Sequence, residues 1–204
     1  VVNQLITVDL SAFYVDLTKD RMYTLGAKSE ARRSGQTAMY IIVDGLARLL
    51  APVLSVTMDE LWRQLPGRRE ESVHMALFPR DLDQWKDAAL LDRWSKLVEV
   101  RDQVNLQLEE KRKDKTITAN LSARVVLTAD AETAPLLQQY EHFLPTLFGV
   151  SEVELKPATP QALKPSVVKA EGTKCERCWR FVPQVNEQGL CPRCVEALAE
   201  PVSL

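Results

Sequence analysis

Cys175-x-x-Cys178 and Cys191-x-x-Cys194 are two identical pairs of sulfur ligands with twelve residues between them, and they are the only cysteines in the 204 residues. A pair at this spacing closes a tight turn, in which both sulfurs can meet one ion while backbone N–H groups point at the thiolates and stabilise their charge. Four thiolates in tetrahedral reach of one ion is what structural zinc requires. The competing chemistries are disulfides, which an expected cytoplasmic setting disfavours, and a thioredoxin-like redox centre, which duplication of the pair disfavours. An iron–sulfur cluster is not separated from zinc by ligand spacing. A closed four-sulfur shell leaves no position for a reacting water, so one structural ion is expected, and in so small a ribbon it supplies much of the folding energy.

Around these ligands stand Lys174, Arg177, Trp179, Arg180 and Arg193. An aromatic ring flanked by cations is a surface that stacks and clamps an unpaired base. The alternative is that Trp179 covers the metal turn as part of a minimal core and the arginines are solvated; residue types alone leave the two readings level. A second basic group, Lys111, Arg112 and Lys113, extended by Lys115, ends a helical pattern. Cations there complement the helix dipole and can also meet phosphates. Arg32 and Arg33, and Arg68 and Arg69, are further candidates for backbone contact and carry no base specificity by themselves. His74 and His142 lie outside metal spacing. No Ser/His/Asp or paired-carboxylate constellation is defined, so no catalytic residue is assigned.

The elements that position these groups follow from periodicity. Leu10, Phe13, Tyr14 and Leu17 recur at helical steps, giving a helix over Asp9 to Tyr23. A polar connection, Ala27 to Gly35, leads to a second helix, Gln36 to Leu50, with Ile41, Ile42, Leu46, Leu49 and Leu50 inward and Pro52 ending it. Thr57 and Glu60 read as a capping box for a short helix through Trp62 that stops at Pro66-Gly67. The longest helical signal, Leu82 to Lys113, carries Trp85, Ala89, Trp94, Leu97, Val98, Val104 and Leu108 on one side, with a break expected near Asp92. Trp62, Trp85 and Trp94 are expected in the core. Leu121 to Thr128 then alternates as a strand, Ala131 to Phe148 is helical and Val150 to Leu155 is again strand-like, a small β-α-β element. Lys156 to Pro165, with three prolines and no apolar period, reads as a linker. The expected fold is mainly α: a helical bundle over residues 1–115, a small α/β junction over 116–160 and a four-cysteine zinc ribbon over 161–204.

A hydrophobic share of 46% with 26% charged residues is that of a globular chain. The net charge of -2 supplies no global attraction to a polyanion, so any nucleic-acid partner must be held by local basic patches. No apolar run approaches the ~20 residues that span a bilayer, and the N-terminus lacks the build of a signal peptide, so a cytoplasmic protein without a membrane partner is expected. The chain opens without Met inside an apolar segment, which reads as a piece of something longer.

Asp9-Leu-Ser-Ala-Phe-Tyr-Val-Asp-Leu-Thr-Lys-Asp-Arg-Met-Tyr23 resembles the characteristic helix of the anticodon-binding domain of bacterial-type isoleucyl-tRNA synthetases. The resemblance runs on through Arg33-Ser-Gly-Gln-Thr-Ala, Leu50-Ala-Pro-Val-Leu-Ser, Asp59-Glu-Leu-Trp62, Glu71-Ser-Val-His-Met75, Phe78-Pro79, Val100-Arg-Asp-Gln-Val-Asn105 and Leu121-Ser-Ala-Arg-Val to the Lys174–Trp179 and Cys191–Cys194 ribbon. It covers essentially the whole chain. Leucyl and valyl relatives share the helical domain and lack the ribbon. Thr118, Ala119 and Asn120 stand where the family tends to carry Gly and Ser, and the HIGH and KMSKS signatures of the catalytic domain are absent. The resemblance therefore implies an anticodon stem-loop recognition arm for tRNA(Ile), monomeric, working with the rest of a synthetase whose ATP-dependent chemistry lies elsewhere. It also implies anticodon-end contacts by Arg177 and Trp179. The ribbon resembles that of formamidopyrimidine-type DNA glycosylases as well, but the Asp9–Tyr23 helix and the near-neutral charge speak against a repair enzyme. A pure protein-interaction module remains the other alternative, and it would lack salt-dependent tRNA binding.

Overall fold

The computed structural model describes residues 1–80, 82–160 and 163–200, a helix-rich chain with a small sheet region and four close cysteines. These residues divide into two compact units, Ala27–Asp87 and Val1–Gly26 together with the chain from Ala88 onward. The opening helical run comprises α1 (Val2–Gln4), a π-helical stretch Leu5–Val15 and α2 (Asp16–Thr24). Of the face expected to turn inward, Leu17 is buried and Leu10, Phe13 and Tyr14 are half-buried.

In the Ala27–Asp87 unit, α3 spans Glu30–Leu50 and α4 spans Ser55–Gln64. Both begin earlier than expected. The polar residues after Ser29 form the solvent-facing first turns of α3 rather than a connection. At α4 the Leu54 N–H bonds back to the Leu50 carbonyl and the Leu54 carbonyl accepts from Met58, so the chain re-enters a helix without a side-chain cap and Thr57 lies inside it. The capping box at Thr57 and Glu60 does not form. Leu49, expected inward, is half-exposed, while Ala47 is buried with Ala51, Met58, Trp62 and Val73. Trp62 donates its indole N–H to the Glu70 carbonyl at 2.9 Å, and the Arg69 guanidinium lies 4.5 Å from its ring centroid. Trp85 is 63% exposed, against expectation: it sits in a 3₁₀ turn, Leu82–Trp85, whose spacing does not continue the following helix.

The other unit is built on α5 (Ala88–Lys113), which passes through Asp92 without the expected break and buries Leu97, Val100, Val104 and Leu108 at helical steps. Ala89 is exposed. The helix packs on a three-stranded sheet of order β2-β1-β3, with β1 Ala123–Thr128, β2 Glu152–Leu155 and β3 Lys164–Lys169. Strands β1 and β2 are parallel and are joined through α6 (Ala134–Gln139) and α7 (Leu144–Phe148), the β-α-β element expected from the sequence with its single helix split in two. Pro145, which lacks an N–H, opens the second piece, and Gly149 ends it in the left-handed conformation that glycine adopts without strain. Strand β3 pairs antiparallel with β1, Val125 facing Val153 on one side and Val167 on the other. Lys164 and Pro165, expected in a linker, are thus sheet residues; Gln161 and Ala162 of that linker lie outside the described residues. Phe13, Tyr140 and Phe143 meet Trp94 edge to face, completing the core. The ribbon adds a hairpin of β4 (Thr173–Lys174) and β5 (Phe181–Val182) and the helix α8 (Pro192–Ala199). No helix among the described residues is long and apolar enough to cross a membrane.

Leu127 is fully buried at the centre of the sheet, so Leu127→Ala is expected to lower stability by about 2–5 kcal/mol in urea titration. After α5 the Asp114 carboxylate accepts from the hydroxyl and N–H of Thr116 and from Lys111, which lowers its pKa from 3.8 to about 2. A depressed carboxylate stabilises the fold fully above its ordinary value and loses that contribution as pH falls towards its folded value. NMR titration is expected to find Asp114 still ionised at pH 3.

Candidate metal centre and its surroundings

Cys175, Cys178, Cys191 and Cys194 are all buried free thiols, and their sulfurs lie within 4.8 Å of one another. Sulfurs about 2.3 Å from a single ion at tetrahedral angles stand about 3.8 Å apart. The Cys178 and Cys191 sulfurs are 3.8 Å apart. The four residues are thus positioned to bind one metal ion; a multi-iron cluster would hold its ligands further apart around a larger body.

Each turn aims backbone N–H groups at sulfur. Burial opposes charge on Cys175, yet N–H groups of Cys178, Cys191 and Arg177 outweigh it and bring the thiol down to about 6. Burial, followed by the neighbouring sulfurs, pushes Cys194 up to about 12, and burial likewise raises Cys178. Cys175 is thus readily a thiolate, whereas Cys178 and Cys194 resist that charge unless a cation is among them. At the entrance to the ribbon Gly172 has φ +92°, and a Cβ there would stand 2.2 Å from the Val182 carbonyl oxygen, so the hairpin closes on glycine alone.

The arginines turn inward. Arg193 grips the Asp20 carboxylate with both terminal nitrogens, at 2.6 and 2.9 Å, and Arg180 donates to the same carboxylate at 3.2 Å and to the Thr146 hydroxyl at 3.3 Å. Arg177 donates to the Thr24 and Tyr23 carbonyls at the C-terminal end of α2 and to the Cys194 sulfur at 3.6 Å. Burial would raise Asp20; Arg193, Arg180 and Thr24 outweigh it and hold the carboxyl below its usual range.

Trp179 is different. It is 60% exposed, while the half-buried apolar residues packed on the cysteine cluster are Val182, Val185 and Leu190. Its φ of +63° is the left-handed conformation, which costs a residue with a Cβ about 1–2 kcal/mol. Turn hydrogen bonds hold it there, Trp179 N–H to the Cys175 carbonyl and Cys175 N–H to the Arg180 carbonyl, both at 2.9 Å. The Lys174 ammonium lies 5.6 Å from its ring centroid. Beside Trp179 a cavity of about 520 Å³ is lined by Asp20, Tyr23, Asn120, Thr146 and Arg180, within the ~300–1,000 Å³ usual for ligand sites.

Of the other candidates, Lys111, Arg112 and Lys113 occupy the last turn of α5, where Lys111 pairs with Asp114 and Arg112 with Glu109. Arg32 and Arg33 lie in the first turns of α3, in the other unit. His74 touches the Ser55 carbonyl at 3.3 Å, and His142 is exposed between α6 and α7. The residue that sequence reasoning misses is Asp20: it sits some 160–173 positions from its two arginines, and no local pattern marks an acid with such partners.

Removing the metal is expected to unfold the ribbon while sparing the sheet. With a strong chelator, or in Cys191→Ser, amide exchange over residues 173–195 should speed up while that of 123–155 stays slow, as mass spectrometry of exchanged peptides can read.

A family model described as the anticodon-binding domain of tRNA ligase matches residues 1–127. The chain is 44% identical to an isoleucine–tRNA ligase of Syntrophotalea carbinolica over 98% of its own length and 23% of that relative. It is 41% identical to those of Natranaerobius thermophilus and Geobacter sulfurreducens, over 94% and 97% of its length and 22% and 23% of theirs. The chain thus spans less than a quarter of the length of the curated relatives it matches. With a family model covering well over half of its residues, the chain belongs to the anticodon-binding domain family of tRNA ligases.

Proposed function

We propose that this chain is the tRNA-recognition arm of an isoleucine–tRNA ligase. In this reading it grips the anticodon stem and loop of tRNA(Ile) while the remainder of the enzyme, a cytoplasmic monomer, attaches isoleucine using ATP. The family match and the shared name of the relatives support this reading. The helices form the bundle of the anticodon-binding domain, and Cys175, Cys178, Cys191 and Cys194 hold one structural zinc ion. When bound, that ion neutralises the thiolates and ties the two turns together; it leaves no coordination site for chemistry.

The observation that carries the reading is Trp179, an exposed aromatic held in a costly backbone conformation beside a cavity, with the Lys174 cation over its ring. An unstacked base of the anticodon loop stacks on such a ring without needing a basic body around it, which agrees with a net charge of -2. Arg177, Arg180 and Arg193 add positive potential to the ribbon, and Lys111, Arg112, Lys113, Arg32 and Arg33 are candidates for phosphate contact.

Filter binding of tRNA(Ile) and of the same tRNA with a changed anticodon tests the reading. The chain is expected to prefer tRNA(Ile), to weaken steeply between 50 and 200 mM salt, and to lose about 1–3 kcal/mol of affinity in Trp179→Ala. Equal binding of both tRNAs, or an unchanged Trp179→Ala variant, overturns it.

A further inference from the structure

We infer that Asp20 is a positioning residue: by holding one arginine from each cysteine turn, its carboxylate seats the ribbon on the end of α2 and so sets where the Trp179 ring stands. The inference rests on the proposed anticodon reading for its functional consequence and on geometry for the rest. Arg193 lies between the ligands Cys191 and Cys194, and Arg180 follows Trp179 directly after Cys178. Both converge on the two oxygens of one side chain, Arg193 in the bidentate geometry that restricts orientation as well as distance. The Thr24 hydroxyl donates to Asp20 Oδ1 at 2.9 Å and fixes the carboxylate on its own helix. Arg177 completes the seat by donating to the Thr24 and Tyr23 carbonyls, which carry the negative end of the helix dipole. One turn of α2 thus engages three arginines that stand within two residues of a cysteine ligand. Trp179 is covalently between this docked Arg180 and the ligand Cys178, so its direction follows from the clamp.

The test compares Asp20→Ala, Asp20→Asn and Asp20→Glu in the 204-residue chain. Three quantities are measured: bound zinc, the orientation of ribbon amides relative to sheet amides by residual dipolar couplings, and the preference for tRNA(Ile) over the anticodon-swapped tRNA. Zinc content is expected to stay at one per chain in all variants. Asp20→Ala and Asp20→Asn are expected to lose the fixed orientation and about tenfold of the anticodon preference, and Asp20→Glu, which restores the charge, to recover part of both. Wild-type orientation in Asp20→Ala overturns the inference, and so does a preference that falls only because zinc is lost. If the unaltered chain shows no preference between the tRNAs, the functional reading fails by itself, and the dipolar couplings alone decide on Asp20.

Discussion

Four buried sulfurs within 4.8 Å of one another are tolerable as thiolates only if something positive stands between them. The backbone supplies part of that charge, enough to bring Cys175 down to about 6, but burial and mutual proximity keep Cys178 and Cys194 up. A single divalent cation removes the conflict. It also joins two chain turns separated by twelve residues that share little apolar surface, Val182, Val185 and Leu190 being their partners. The rest of the ribbon depends on that closure: the left-handed position of Trp179, the hairpin closing at Gly172, and the direction in which three arginines leave the turns.

Those arginines change how the surface works. As residue types, Arg177, Arg180 and Arg193 look like cations that flank an aromatic ring to clamp an unpaired base. In the fold they meet a carboxylate and two carbonyls at the end of α2, and Lys174, Glu176 and Trp179 are the residues exposed around the first turn. A half-buried guanidinium paired with Asp20 gives scaffold rigidity and residual positive potential, whereas an exposed ring offers contact area with little conformational freedom to lose. On the proposed reading, recognition by stacking rather than by bulk charge is why a near-neutral protein can hold RNA.

The amino-acid sequence carries much of this by itself. Sulfur spacing announces a shared site because ligand geometry is set within each turn, and β1 shows its alternation because one of its faces is buried and the other only half-buried. Strand β3 is hidden: Lys164, Pro165, Ser166 and Lys169 are what an edge strand carries to discourage further pairing, and its first two residues read as the end of a linker. Trp85 misleads because a helical spacing continues through residues that fold as a 3₁₀ turn. Asp20 carries no signal, since its partners are brought to it only by the fold. Local chemistry reads well from sequence; convergence of distant residues does not.

X-ray absorption at the zinc edge of the purified chain tests the central claim most directly. The account predicts one zinc per chain with a shell of four sulfurs at about 2.3 Å and no lighter ligand. A chain without bound metal and with its cysteines oxidised to one another, or a metal with oxygen or nitrogen in its inner shell, would contradict it.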